Sequence, residues 1–190
     1  SGRFNLRGEG CLQFYGERKV DMVSIASGAD VVIEGLHFDG SAQPGYAILR
    51  WCIASAEKMA RPYRLVVRNC TFENFSENGN TVIKGCRNTM AESILIENCE
   101  FRNFSSNGID FAAEKDDIGR YNAEEITIRN CRFTRILGLG IDLYRGGSDE
   151  STGGPKVTIE NCSFDGVCNR ERGSVIRAIG VQDLTITGCT

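Results

Sequence analysis

The sequence predicts an all-β fold, a single-stranded right-handed parallel β-helix of about six coils. Three observations support this prediction. One eight-residue pattern recurs six times, and each copy alternates apolar and polar residues, a period of two that indicates strands. Each copy also changes direction at Asn or Gly, the residues that best tolerate a positive φ. We therefore expect each repeat to form one coil containing a strand, a one-residue corner and a second strand.

The repeat marker is the corner residue, and successive markers lie 27 to 34 residues apart. The corner positions are Gly35, Asn69, Asn98, Asn130, Asn161 and Gly188. Equivalent residues of a β-helix stack about 4.8 Å apart, so these Asn side chains can hydrogen-bond from coil to coil. If that ladder is buried, Asn98→Leu should lower the free energy of unfolding by roughly 1–3 kcal/mol. An unchanged stability would indicate a solvated corner.

Three further files of residues flank the corner. The charge of the residue before the corner alternates in sign from coil to coil, as expected for an exposed charge ladder. These residues are Glu34, Arg68, Glu97, Arg129 and Glu160. A file of Phe residues is predicted to point inward: Phe38, Phe72, Phe101, Phe133 and Phe164. The position after the corner carries Cys70, Cys99, Cys131, Cys162 and Cys189, which we interpret as small buried hydrophobic residues rather than as disulfides or metal ligands.

Composition excludes several classes of function. A formal net charge of −3 means that the chain has no net basicity, so the composition does not indicate a DNA-binding surface. The longest apolar runs contain four to six residues, far short of the roughly 20 that cross a bilayer as a helix. His37 is the single histidine, so a Ser-His-Asp triad or a histidine metal site has no second support, and we interpret His37 as structural or surface. We predict one domain over residues 1–190, a slice of a longer helix whose N-terminal cap and C-terminal coils lie outside it.

A third strand in each coil carries the candidate functional residues. Alignment on the apolar residue before each charge predicts one outward column: Arg50, Lys84, Asp110, Asp142 and Arg177. Asp110 and Asp142 share the motif Gly-Ile-Asp, and carboxylates on neighbouring coils would lie roughly 5 Å apart. Two such carboxylates either raise one pKa or recruit a cation, and Lys84 and Arg177 could neutralise them.

Two interpretations of this column remain open. In one, it lines a groove for an acidic polysaccharide, with Asp110 and Asp142 in acid–base work and Arg50, Arg177, Tyr144 and Arg145 binding the sugar. In the other, it is a solvated salt-bridge ladder. The acidic loops that follow the third strands are candidate Ca²⁺ ligands, although exposed acidic turns are the commoner case: Glu114, Asp116, Asp117, Asp149 and Glu150.

The repeated coil resembles the right-handed parallel β-helix superfamily of pectate lyases and their relatives. The segment Gly28–Gly40 is similar to the first coil of the chondroitinase B and alginate lyase type (polysaccharide lyase family six), and also to uncharacterised secreted bacterial β-helix proteins. The resemblance implies a secreted, periplasmic or cell-surface protein that acts by β-elimination. It also implies a Lys base, an Arg acid in the next coil and Ca²⁺ bound by acidic residues.

Lys84, in the segment Val82-Ile83-Lys84-Gly85, matches the base of that family. The next coil carries Asp110 where the resemblance implies Arg, so the catalytic pair is incomplete. The leading hypothesis is a β-helix that binds or cleaves an acidic polysaccharide. The alternative is a non-catalytic glycan-binding module, adhesin or structural spacer.

Overall fold

The computed structural model describes residues 3–13, 23–25, 30–41, 47–51, 64–75, 81–85, 91–114, 123–145, 154–168 and 173–190. Within these ranges every regular element is a β-strand, and every pair of neighbouring strands is parallel. None of the described residues forms a helix long and apolar enough to cross a membrane.

The strands form three faces of a parallel β-helix. Face 1 contains the first halves of β1 (Arg3–Gln13) and β3 (Asp30–Asp39), followed by β5 (Arg64–Arg68), β8 (Ala91–Glu97), β11 (Ala123–Arg129), β14 (Lys156–Glu160) and β17 (Asp183–Thr187). Face 2 contains the second halves of β1 and β3, followed by β6 (Thr71–Phe75), β9 (Glu100–Phe104), β12 (Arg132–Ile136) and β15 (Ser163–Val167). Face 3 contains β2 (Val23–Ile25), β4 (Ala47–Trp51), β7 (Thr81–Gly85), β10 (Ile109–Glu114), β13 (Ile141–Arg145) and β16 (Ile176–Ile179).

The six predicted coils are confirmed, because each repeat copy contributes one strand to face 1. The structure adds a coil before them, in which β1 pairs with β3 along both faces. The register shifts between Arg7 and Gly10, where β1 carries an extra residue as a bulge. That extra residue breaks the repeat spacing, which is why the sequence pattern did not reveal this coil.

The predicted corner ladder between faces 1 and 2 is confirmed. Each corner Asn has a φ between 51° and 55°, and Nδ2 of Asn98 donates to Oδ1 of Asn69 at 3.2 Å. Asn130 and Asn161 continue the chain of bonds at 3.2 and 3.5 Å. The Asn side chains are exposed, so the ladder lies on the solvent side of the corner and is not a buried one.

A second file of positive-φ residues lies on face 2 and was not predicted. Its members are Asn74, Asn103, Arg135 and Gly166, with φ between 54° and 63°. Asn103 donates to Asn74, and Asn74 donates to Asp39, each at 3.0 Å. The sequence did not reveal this file, because its two other members are not Asn.

The core contains the predicted Phe file. Phe38, Phe72, Phe101 and Phe133 are fully buried, and successive ring centroids of the five-member file lie 4.7 to 5.1 Å apart, nearly parallel. Aliphatic residues from all three faces fill the rest of the interior, including Ile33, Ile83 and Ile128. This continuous packing is what holds the exterior columns of each face in fixed register.

The cysteine file is a set of free thiols among the described residues. Cys70, Cys99, Cys131 and Cys162 are buried, and each Sγ lies near a backbone carbonyl of the preceding coil, as for Cys99 and Val67 O at 3.7 Å. Burial raises the pKa of the Cys99 thiol well above its ordinary value. The predicted burial of this file is confirmed for these four residues, whereas the fifth member, Cys189, is half-buried.

Candidate functional site

Face 3 carries one continuous column of polar residues. The pairing register joins Arg50 to Lys84, Lys84 to Asp110, Asp110 to Asp142, and Asp142 to Arg177. The predicted alignment of these five positions is therefore confirmed, including its outer members. The core residues Ile83, Ile109 and Ile141 immediately precede Lys84, Asp110 and Asp142, and all three are fully buried. The functional roles assigned to the column stay predictions.

Asp142 is the most enclosed member of the column, with 2% of its surface exposed. Arg177 on the next coil donates from Nε and Nη2 to the two carboxylate oxygens at 2.7 and 2.6 Å. Paired donation of this kind is the strongest common arrangement between guanidinium and carboxylate groups. The expected neutralisation of Asp142 by Arg177 is thus observed.

Asn107 supplies a third hydrogen bond to Asp142, and sequence reasoning did not identify it. Its Nδ2 donates to Asp142 Oδ2 at 3.2 Å, while its Oδ1 accepts from the backbone N–H of Leu139 at 2.9 Å. The turn bearing Leu139 packs closely on the turn bearing Asn107, since a Cβ added to Gly138 would lie 2.6 Å from Asn107 Oδ1. No sequence spacing marks such a contact, because it depends on how two turns stack.

The remaining predicted site residues are placed only in part. Arg50, Lys84, Glu114, Tyr144 and Arg145 occupy strand positions on face 3, but their side chains lie outside the described part of the structure. Glu114 pairs in register with Arg145 after an irregularity in β10. The other predicted calcium ligands lie outside the described residues altogether: Asp116, Asp117, Asp149 and Glu150.

The described residues contain no cluster of three His, Cys, Asp or Glu side chains that could hold a metal ion. The most buried carboxylate of face 3, Asp142, is already bound by Arg177 and Asn107. The described residues therefore do not fit a calcium site.

The charge column of face 1 shows what a structural ladder looks like in this protein. Signs alternate along it from Arg7 to Glu160, and oppositely charged neighbours pair: Glu34 lies 2.9 Å from Arg68 and 3.4 Å from Arg7. Arg129 pairs with Glu97 at 2.7 Å. The hydrogen bond from Arg68 lowers the pKa of Glu34, as expected for a carboxylate with a cationic partner.

His37 lies on face 2 in a second ion-paired group. Its Nε2 contacts Oε1 of Glu73, and Arg102 Nε donates to Oε2 of the same carboxylate. The hydrogen bond from Arg102, followed by that from His37, lowers the pKa of Glu73 against the opposing effect of burial. The interpretation of His37 as structural or surface agrees with this setting, which is on a different face from the face 3 column.

Comparison with known proteins shows what this geometry resembles. An alginate lyase of polysaccharide lyase family six, AlyGC, superposes on 100% of the chain with a TM-score of 0.72 and 25% sequence identity. A point variant of the same enzyme superposes on 90% of the chain with a TM-score of 0.68 and the same identity. The chain has a polysaccharide-lyase-like parallel β-helix. This lyase-like helix spans only 24–28% of the length of those enzymes.

Two other comparisons found no counterpart for the lyase-like helix. No protein-family model matches the chain, and no curated protein matches it significantly. The resemblance to the alginate lyase is therefore carried by the coil architecture and by the modest identity along it.

Proposed function

We propose that this lyase-like helix binds an acidic polysaccharide along face 3, as part of an extracytoplasmic polysaccharide lyase. The observation that carries the proposal is the order of charges in the face 3 column. Reading from Arg50 to Arg177, the order is two cations, two carboxylates and one cation. The charge column of face 1 alternates in sign from coil to coil instead.

Unpaired like charges on adjacent coils destabilise a sheet, and like-charged residues are register neighbours twice on face 3. A ladder that served only stability would alternate, as face 1 does. Groups placed together against their mutual repulsion are typical of sites that bind or transform a charged ligand. The adjacent positions of Arg50 and Lys84 suit the negative charges of a uronate polymer, whose sugars follow one another along the helix axis.

Lys84 is the candidate base if the protein is catalytic. A base that removes the proton α to the uronate carboxyl, followed by loss of the glycosidic oxygen, leaves an unsaturated sugar that absorbs at about 235 nm. The test is absorbance at that wavelength during incubation with alginate, chondroitin, heparin and polygalacturonate, with and without Ca²⁺. We expect a rise with one polymer, lost in Lys84→Ala. A rise that survives Lys84→Ala would remove Lys84 as the base.

A non-catalytic glycan-binding helix is the second candidate, and one position favours it. Asp110 stands in register with Lys84 on the next coil, where the lyase pattern implies Arg. The pair of base and acid is then incomplete on this face. A flat absorbance trace with all four polymers, together with binding of one of them, would establish the binding module over the enzyme. Absence of both would contradict the proposed function.

A further inference from the structure

We propose that Arg177 recognises a single sugar carboxylate, and that Asp142 and Asn107 are positioning residues that hold its guanidinium ready. This inference rests on the proposed function and names the group on face 3 that recognises the negative charge of the substrate. It also changes the role of Asp142, which the sequence pattern assigns to acid–base work.

Asp142 is unsuited to proton transfer with a polymer. Only 2% of its surface is exposed, and both carboxylate oxygens accept hydrogen bonds from Arg177. A general acid or base must come within hydrogen-bond reach of the proton it moves. The carboxylate of Asp142 instead faces Arg177 and Asn107, so it acts on a ligand through Arg177.

Arg177 is the most exposed of the three residues Asn107, Asp142 and Arg177. About two-fifths of its side chain is accessible, 42% against 3% for Asp142. A guanidinium is planar and carries five N–H donors. Nε and Nη2 of Arg177 face Asp142. The second edge of the group, formed by Nη1 and Nη2, has donors spaced to match the two oxygens of another carboxylate. Because Asp142 already fixes the plane of the group, binding a sugar carboxylate costs less side-chain entropy than it would for a mobile Arg.

Asn107 makes the arrangement rigid. It ties Asp142 to the backbone N–H of Leu139, so hydrogen bonds connect the turn, the carboxylate and the guanidinium. This continuity extends over three coils, from Asn107 through Asp142 to Arg177. The same two donor atoms of Arg129 bind Glu97 on face 1, but no third residue is seen to fix that carboxylate among the described contacts.

Calorimetric titration with a mannuronate hexamer tests the proposal, with cellohexaose as the neutral sugar of equal length. We expect wild type to prefer the acidic hexamer, Arg177→Gln to lower that affinity about tenfold, and Asp142→Asn to lower it about threefold to tenfold. Arg177→Lys keeps the positive charge but lacks the planar set of donors, so its affinity for the acidic hexamer should lie between those of wild type and Arg177→Gln. In the Arg177→Gln background, Asp142→Asn should cause no further loss of affinity, because a positioning residue acts only through its partner.

The matched control is Arg129→Gln, which breaks an equivalent ion pair on face 1 and should leave affinity for the acidic hexamer unchanged. Thermal melts of all variants identify any loss that comes from unfolding, and Arg177→Lys keeps the test decisive if Asp142→Asn does not fold. Wild-type affinity in Arg177→Gln would overturn this inference while leaving the proposed function intact. A further loss on adding Asp142→Asn would place Asp142 against the sugar and overturn its positioning role. Equal or absent binding of both hexamers by wild type would contradict the proposed function and this inference together.

Discussion

Asp110 on β10 stands in direct register with Asp142 on β13, so two acidic residues occupy neighbouring rungs of one exterior column. The next rung on each side is cationic: Lys84 before Asp110, and Arg177 after Asp142. Arg177 binds both carboxylate oxygens of Asp142. The grouping of like charges, against the alternation on face 1, is the basis for placing the binding site on face 3.

The corner ladder predicts a stability difference between two variants of Asn98. Asn98→Leu places a side chain without a local hydrogen bond at φ 53° and also removes the bonds to Asn69 and Asn130. Asn98→Gly removes the same bonds but accepts the backbone conformation. We expect Asn98→Leu to lower the free energy of unfolding by about 2 kcal/mol, and Asn98→Gly by about 1 kcal/mol or less. Urea denaturation measures both, and equal losses would show that the left-handed corner carries no strain.

The Phe file predicts the most sensitive core position. Phe101 is fully buried and stacks between Phe72 and Phe133, with ring centroids at 5.1 and 4.7 Å. Phe101→Ala should lower the free energy of unfolding by about 3–5 kcal/mol, because it removes two stacked contacts and leaves a cavity. Phe4→Ala is the matched control, since half of Phe4 is exposed and its loss should cost far less. Similar losses in the two variants would contradict the stacked core.

The pH dependence of stability follows from Glu73. Its pKa is lowered from 4.5 chiefly by the hydrogen bond from Arg102, so the folded state holds this proton more weakly than the unfolded chain does. The stabilisation is therefore present above about pH 4.5 and is lost as pH falls through the lower folded pKa. Chemical denaturation between pH 7 and about pH 3 should show a smaller loss for Glu73→Gln than for wild type. The exposed Glu125→Gln on face 1 is the control, and an identical slope for Glu73→Gln and wild type would contradict the prediction.

The periodic parts of this fold were predictable from sequence because each coil repeats the same pattern of strands and corner. The corner Asn residues, the Phe file and the face 3 column all follow from strands of period two that stack in parallel register. The column needed only the apolar residue before each charge as a marker. Its outer members, Arg50 and Arg177, align with the rest because β4 and β16 continue the parallel register of their neighbouring strands.

The parts that escaped prediction depend on contacts between coils that differ locally. The bulge at Arg7–Gly10 hides the first coil, and the second positive-φ file changes residue type from Asn74 to Gly166. Asn107 is the residue of the proposed site that sequence reasoning did not identify. Its partners, Asp142 and Leu139, lie more than 30 positions away and are reached only through the stacking of two turns.

We expect face 3, and not the general charge of the surface, to bind an acidic polysaccharide. The most direct measurement compares the affinity for a mannuronate hexamer of two doubly substituted variants with the same net charge. Arg50→Gln with Lys84→Gln removes two cations from face 3, whereas Arg64→Gln with Arg129→Gln removes two from face 1. We expect the face 3 variant to bind at least about tenfold more weakly than wild type, and the face 1 variant to match wild type. Equal weakening in both variants, or none in the face 3 variant, would contradict the claim.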